Sequence, residues 1–196
     1  GDITSTFPVG GRYSGDQKAA YAIVLAAQAA AIAAVRPGAS WNAPHDTAVR
    51  VLVEGMKELK LLKGDVDGLI ETGAFRRFYM HRTGHWLGLD VHDCGDYKVA
   101  GDWRPLQPGM TLTVEPGLYI RPGQGVPKRL ENIGIRIEDD VLVTDGGREV
   151  LTAAAELADE GIAAHVVDVT SLDRLYVLDT VSGHIWRYAP ADQDGQ

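Results

Sequence analysis

Polar and apolar residues alternate from Asp2 to Val9, with Asp2, Thr4 and Thr6 on one side and Ile3, Ser5 and Phe7 on the other, which is the period of a strand. Gly10 and Gly11 end it. Ser14 then stands as an N-cap before an alanine-rich run that reaches Val35 and stops at Pro37 and Gly38, so a long helix is predicted. Next, Val49, Leu52, Val53, Met56 and Leu59 recur at helical spacing, predicting a second helix over residues 46–61, closed by Lys63 and Gly64. From Phe75 onward the chain consists of short apolar runs broken by Gly and Pro. That is the pattern of strands joined by turns, clearest over residues 110–115 and 133–143. Two helices followed by several strands predict an α+β domain, with helices packed on one face of a curved antiparallel sheet. The pattern shifts near Leu151: residues 152–160 read as helix, 165–169 as a short buried strand, and 175–188 as a strand-like stretch turning at Ser182 and Gly183.

Composition narrows the function classes. The 196 residues are 45% hydrophobic and 23% charged, enough for one substantial core. A formal charge of −8 with no basic run argues against nucleic acid as a partner, since phosphate binding rests on clustered Lys and Arg. The single cysteine, Cys94, excludes an internal disulfide and fits a reducing compartment, so a cytoplasmic location is expected. The longest apolar stretch, residues 19–35, is rich in alanine and carries Gln28. No membrane span is expected from it.

Strand geometry then sorts the ionisable groups. Over residues 133–138 the period of two sends Ile133, Ile135 and Ile137 to one face and Arg136 and Glu138 to the other. By the same rule Thr111, Thr113 and Glu115 oppose Leu112 and Val114, and Pro116 and Gly117 end that strand directly after the carboxylate. Either glutamate alone reads as part of a solvated strand face. Asp2, Glu115 and Glu138 gathered on one face would repel one another unless protons or cations neutralised them. With His85 added, the set is rich in oxygen with one nitrogen, which suits Mn²⁺, Co²⁺ or Zn²⁺. Spacing alone does not single out these four residues. His81 and His85 are four apart, as helical zinc ligands would be, but Gly84 and Gly88 oppose a helix, and position 82 is Arg where zinc chemistry of that kind needs Glu.

The segments GDITSTFPV, GHWLGLDVHD, LTVEPGLY and GIGIRIEDD, met in that order, closely resemble the motif series of aminopeptidase P and prolidase, the proline-specific pita-bread metallopeptidases. The resemblance implies a pita-bread fold over residues 1–152, incomplete at its N-terminus, followed by an extension of unassigned function over 153–196. It implies two divalent metal ions, most often Mn²⁺, sharing a water or hydroxide that attacks the peptide carbonyl. Asp2 matches the bridging aspartate, His85 a histidine on one metal, Glu115 its carboxylate companion and general acid/base, and Glu138 a glutamate touching both ions. His81 and His92 match histidines near the substrate carbonyl and the leaving group, not ligands, and Arg136 would orient and partly neutralise the carboxylates.

The implied substrate is a peptide with proline at its second position, cleaved before the proline by a protein expected to be a homo-oligomer. The family's fifth ligand is an aspartate about ten residues before the Asp2 position. Because the sequence opens on Gly1 inside an apparent strand, these residues are expected to be a fragment that holds one ion firmly and the other weakly. Trp86, Trp103 and Tyr119 are candidates for a proline pocket, with core packing as the alternative; His45 reads as a surface residue. Three other readings remain: a prolidase acting on dipeptides, a non-catalytic pita-bread binding module, and a creatinase-like amidinohydrolase. The last keeps the central histidines but lacks the full carboxylate set found here.

Overall fold

Ser14 caps the first helix, α1 (Gly15–Ala34), through a reciprocal pair: the Gln17 amide donates to the Ser14 hydroxyl, and the Ser14 amide donates to the Gln17 side chain. Replacing Ser14 with Ala removes one of these bonds and is expected to cost about 1 kcal/mol. Denaturant unfolding measures it, and an unchanged midpoint would mean that the cap is idle. The structure is a computed structural model that describes residues 1–123 and 125–151, and three strands of the tail.

Along α1, Ala20, Val24, Ala27 and Ala31 are buried at helical spacing, and the helix packs on α2 (Ala43–Glu58). Small residues allow close approach; a Cβ at Gly55 of α2 would lie 2.4 Å from the Ile23 side chain. By length and composition alone α1 could cross a membrane, but its buried stripe lies in the core. The second helix begins and ends three residues earlier than its periodicity predicts. Pro44, with its φ already set for a helix, stands in the first turn. At the other end Lys60 takes a left-handed conformation (φ 64°), and Leu61 donates back to the Met56 carbonyl. A short helix α3 (Val66–Glu71) and a 3-10 turn (Ala74–Arg77) follow, neither of which the sequence pattern predicts.

A small hairpin, β1 (Lys98–Val99) with β2 (Asp102–Trp103), precedes the main sheet. There, β3 (Thr111–Val114) and β4 (Gly117–Ile120) run antiparallel to β6 (Asp139–Thr144) and β5 (Ile133–Arg136), with β7 (Gly147–Val150) beside β6. The segment read as one strand over 133–143 is therefore two. Both pairings keep one register across the break: Val114 faces Asp139 and Gly117 faces Arg136. Glu115 consequently falls opposite Glu138 where the ladder opens. Like charges placed directly across a sheet are destabilising, so a break at this pair has a physical cause.

The predicted strand over residues 2–9 is extended chain without strand pairing. It lies along the break, but Thr6 uses its hydroxyl where a ladder would use backbone, accepting from the Arg136 amide at 3.1 Å and donating to the Arg136 carbonyl at 2.9 Å. One backbone bond, Glu138 N–H to the Thr4 carbonyl at 2.8 Å, completes the contact. In the tail, β8 (His165–Val167), β9 (Leu175–Leu178) and β10 (Ile185–Tyr188) form an antiparallel three-stranded sheet. The helix expected over 152–160 and the turn at Ser182 lie outside the described residues.

Candidate active site

Residues 83–87 run antiparallel along the free edge of β3: the Glu115 amide donates to the Thr83 carbonyl (2.7 Å), the Thr113 amide to His85 (3.0 Å), and the Leu87 amide to Thr111 (3.1 Å). The approach is so close that a Cβ on Gly84 would sit 1.9 Å from the Thr113 carbonyl oxygen, so only glycine fits there. This edge puts His85 beside Thr113, whose cross-strand partner is Asp140, and puts Glu115 opposite Glu138. Asp2 joins them by donating its backbone N–H to Asp140 Oδ2 at 3.0 Å.

The orientation of His85 follows from its neighbours. Its Nδ1 lies 2.9 Å from the Trp86 carbonyl, which can only accept, so Nδ1 carries the proton and Nε2 of the neutral ring carries a lone pair. That Nε2 is buried without a hydrogen-bond partner. It faces Asp2 Oδ2 at 3.3 Å and Glu115 Oε1 at 3.6 Å. Ligand atoms of His85, Glu115 and Glu138 lie within 4.8 Å of one another, as do those of Asp2, His85 and His92.

A lone pair facing carboxylates is unfavourable unless a proton or a cation stands between them. Glu138, only 2% exposed, is pushed up to about 7 by burial and then by Glu115 and Asp2, while the Thr4 hydroxyl and Arg136 oppose the rise. A divalent cation would relieve all of these conflicts together, and the donor set of carboxylates with one imidazole fits such an ion.

The remaining predicted residues divide clearly. Arg136 is brought in: its Nη1 lies 3.8 Å from Glu115 Oε2, and its Nη2 donates to Thr4 Oγ1 at 3.1 Å. His92 is brought in at the exposed rim, its ring 4.4 Å from that of His85. His81 is not in either ligand cluster. Its Nδ1 donates to the Arg82 carbonyl (2.7 Å), which leaves Nε2 to accept the Tyr119 hydroxyl (2.7 Å), so both nitrogens are used.

Of the aromatic pocket candidates, only Tyr119 touches this group. Trp86 packs in the core against Trp41 and Tyr97, with ring centroids at 4.0 and 5.8 Å. Trp103 is flanked by Arg82 and Lys98, at 4.9 and 4.5 Å from its centroid. His45 is not the surface residue its sequence context suggested. It is half-buried and bonded to Thr83 Oγ1 at 2.8 Å, because α2 begins early enough to carry it under the 81–85 loop.

Sequence reasoning missed three supporting groups. Thr4 donates to Glu138 Oε2 at 2.5 Å while holding Arg136, Asp140 fixes Asp2, and Thr113 Oγ1 accepts the His85 amide at 3.1 Å. Alternation does put Thr4 on the face of Asp2 and Thr113 on that of Glu115, so two of the three had a signal.

A curved antiparallel sheet backed by helices, carrying a histidine and carboxylates arranged to hold cations, defines a pita-bread metallopeptidase domain. The chain belongs to metallopeptidase family M24, which residues 1–145 match. It is 50% identical over 161 residues to the Xaa-Pro aminopeptidase of Haemophilus influenzae, a match covering 81% of this chain and 37% of that protein. Human Xaa-Pro dipeptidase is 36% identical over 188 residues, covering 81% of this chain and 38% of that protein. Among solved structures, an aminopeptidase from Pseudomonas aeruginosa superposes with a TM-score of 0.74 at 52% identity, covering 80% of this chain and 37% of that one. Aminopeptidase P from E. coli with the inhibitor Pro-Leu gives 0.75 at 51% identity, covering 79% and 35%. The chain thus spans little more than a third of the curated relatives it matches.

Proposed function

We propose that this chain is the catalytic part of a two-metal aminopeptidase that hydrolyses the N-terminal Xaa-Pro peptide bond. The observation that carries the reading is the buried, unpartnered His85 Nε2 facing Asp2 and Glu115, with Glu138 in the same cluster. In this reading Asp2, His85, Glu115 and Glu138 supply four ligands for two divalent ions, Mn²⁺ by preference, and by themselves hold one ion firmly and the other weakly. When bound, such ions acidify water and polarise a carbonyl oxygen. The chain's own residues then do the rest. Glu115 accepts the proton released by water and delivers it to the departing proline nitrogen. Arg136, 3.8 Å away, keeps Glu115 oriented and limits its repulsion with Glu138. Thr4 holds Glu138 in place through its hydroxyl. Tyr119 donates to His81 and so sets that ring beside the space where substrate enters, and His92 guards the exposed rim.

The substrate is a peptide with proline second, and the dipeptidase alternative is less favoured because Xaa-Pro aminopeptidases are the more similar relatives, at 50% against 36% identity. A non-catalytic module is disfavoured by the presence of all four ligand-type residues in contact range. We further propose a cytoplasmic homo-oligomer with no nucleic-acid or membrane partner. The net charge of −8 and the core position of α1 support the last two points.

The test uses the intact protein. Chelation should abolish hydrolysis of an Xaa-Pro-Xaa tripeptide and added Mn²⁺ should restore it. Failure to cleave any such peptide with Mn²⁺ present would sink the proposal; cleavage of Xaa-Pro dipeptides alone would convert it to the prolidase reading.

A further inference from the structure

Behind the cluster lies a polar chain that the proposed chemistry does not use. Thr83, 2% exposed, sits midway between His81 and His85, and its carbonyl receives the Glu115 amide at 2.7 Å. Its hydroxyl is contacted by the Tyr79 hydroxyl at 2.6 Å and by His45 Nδ1 at 2.8 Å. Tyr79 and Thr83 belong to the segment leading into the site, whereas His45 comes from the first turn of α2, 38 residues before Thr83.

The direction of these bonds can be deduced. The Tyr79 side chain is wholly buried, so its proton must go to a protein acceptor, and Thr83 Oγ1 is the partner it has. Thr83 then has its own proton to give, and His45 Nδ1 is the atom in line to take it. His45 must therefore be neutral, with its proton on Nε2. Burial, followed by the nearby Arg82, Arg76 and His81, pushes its imidazolium down to about 4, in agreement.

The segment needs such a tie. Gly84, forced to be glycine by the Thr113 carbonyl, removes the side chain that would otherwise restrict rotation just before His85. We propose that His45 is a positioning residue: as terminal acceptor of the Tyr79–Thr83–His45 chain, it anchors the 81–85 segment to α2 and so holds His81 and His85 in register with Glu115. The inference rests on the aminopeptidase reading for its kinetic consequence and on geometry alone for the bond itself.

Two measurements on the intact protein separate these, the first with diamagnetic Zn²⁺ bound, because paramagnetic Mn²⁺ would broaden ring signals beside the site, and the second with Mn²⁺ bound. Ring ¹⁵N NMR of labelled histidine should find His45 protonated on Nε2 and bare on Nδ1, unchanged from neutral pH down to about pH 5. In the kinetics, Thr83→Val and His45→Leu should each lower kcat about tenfold, with metal content intact and KM within about twofold. The double variant should be no worse than either single one, and Thr83→Ser and His45→Asn, which keep a hydroxyl and an acceptor, should regain most of the loss. Should His45→Leu fail to fold, Thr83→Val, which keeps the side-chain shape, carries the comparison.

The proposal is overturned by a proton on His45 Nδ1, by additive losses in the double variant, or by a folded Thr83→Val enzyme with unchanged kcat. If the parent protein itself cleaves no Xaa-Pro peptide, the aminopeptidase reading fails, and the NMR result still decides the hydrogen-bond chain.

Discussion

Glu115→Gln is expected to lower kcat on an Xaa-Pro peptide by ~10²–10⁴-fold, the usual contribution of a positioned acid/base, with a much smaller change in KM. The substitution keeps the shape of the side chain but removes its charge and its capacity to carry a proton. It also leaves Arg136 without the carboxylate it faces at 3.8 Å and His85 Nε2 with one fewer oxygen at 3.6 Å. Some loss of metal should accompany the kinetic effect, so kcat is to be read at saturating Mn²⁺ alongside the metal content. A folded, metal-loaded Glu115→Gln enzyme that keeps kcat within about tenfold of the parent would remove Glu115 from the proton-transfer role.

Gly84→Ala should have the largest effect on stability. The added methyl would lie 1.9 Å from the Thr113 carbonyl oxygen and 3.0 Å from its carbon, and both atoms belong to the backbone of β3. Relief requires the 83–87 edge to lift from β3, which breaks the bonds from Glu115 N to Thr83 and from Thr113 N to His85. Overpacking and two lost hydrogen bonds together are expected to cost about 3 kcal/mol or more. At roughly 2–4 °C per kcal/mol for a chain of this size, Tm should fall by about 6–12 °C, and because His85 moves with the edge, metal should be lost as well. An unchanged Tm would mean that the edge does not lie against β3 as described.

How far the sequence could be read depended on how local each determinant is. The first helix was legible because its cap, its apolar spacing and its stop signal all lie within the helix or next to it. The second was displaced by three residues because a periodic pattern locates the buried face and leaves open where Pro44 starts the helix. The run at 133–143 alternates as one strand would, and the alternation holds as far as Ile137. The break that follows arises from Glu115, on another strand, meeting Glu138 in register, which no local pattern contains.

The site divides the same way. Period two placed Glu115, Glu138 and Arg136 on polar faces, but choosing Asp2 and His85 to join them took the motif resemblance. The supporting hydroxyl of Thr4 acts on Glu138 across 134 residues of sequence, and His45 reaches Thr83 across 38. Contacts of that kind are set by tertiary packing, and residue type at one position does not announce them.

Convergence of Asp2, His85, Glu115 and Glu138 on cations is the claim everything else requires. It is tested most directly by an anomalous-difference map from crystals of the intact protein grown with Mn²⁺. The account predicts a peak about 2 Å from His85 Nε2 and from carboxylate oxygens of Glu115 and Glu138, with Asp2 reaching the same centre. A map with no peak among these four side chains, although Mn²⁺ is present and the side chains are ordered, would contradict it.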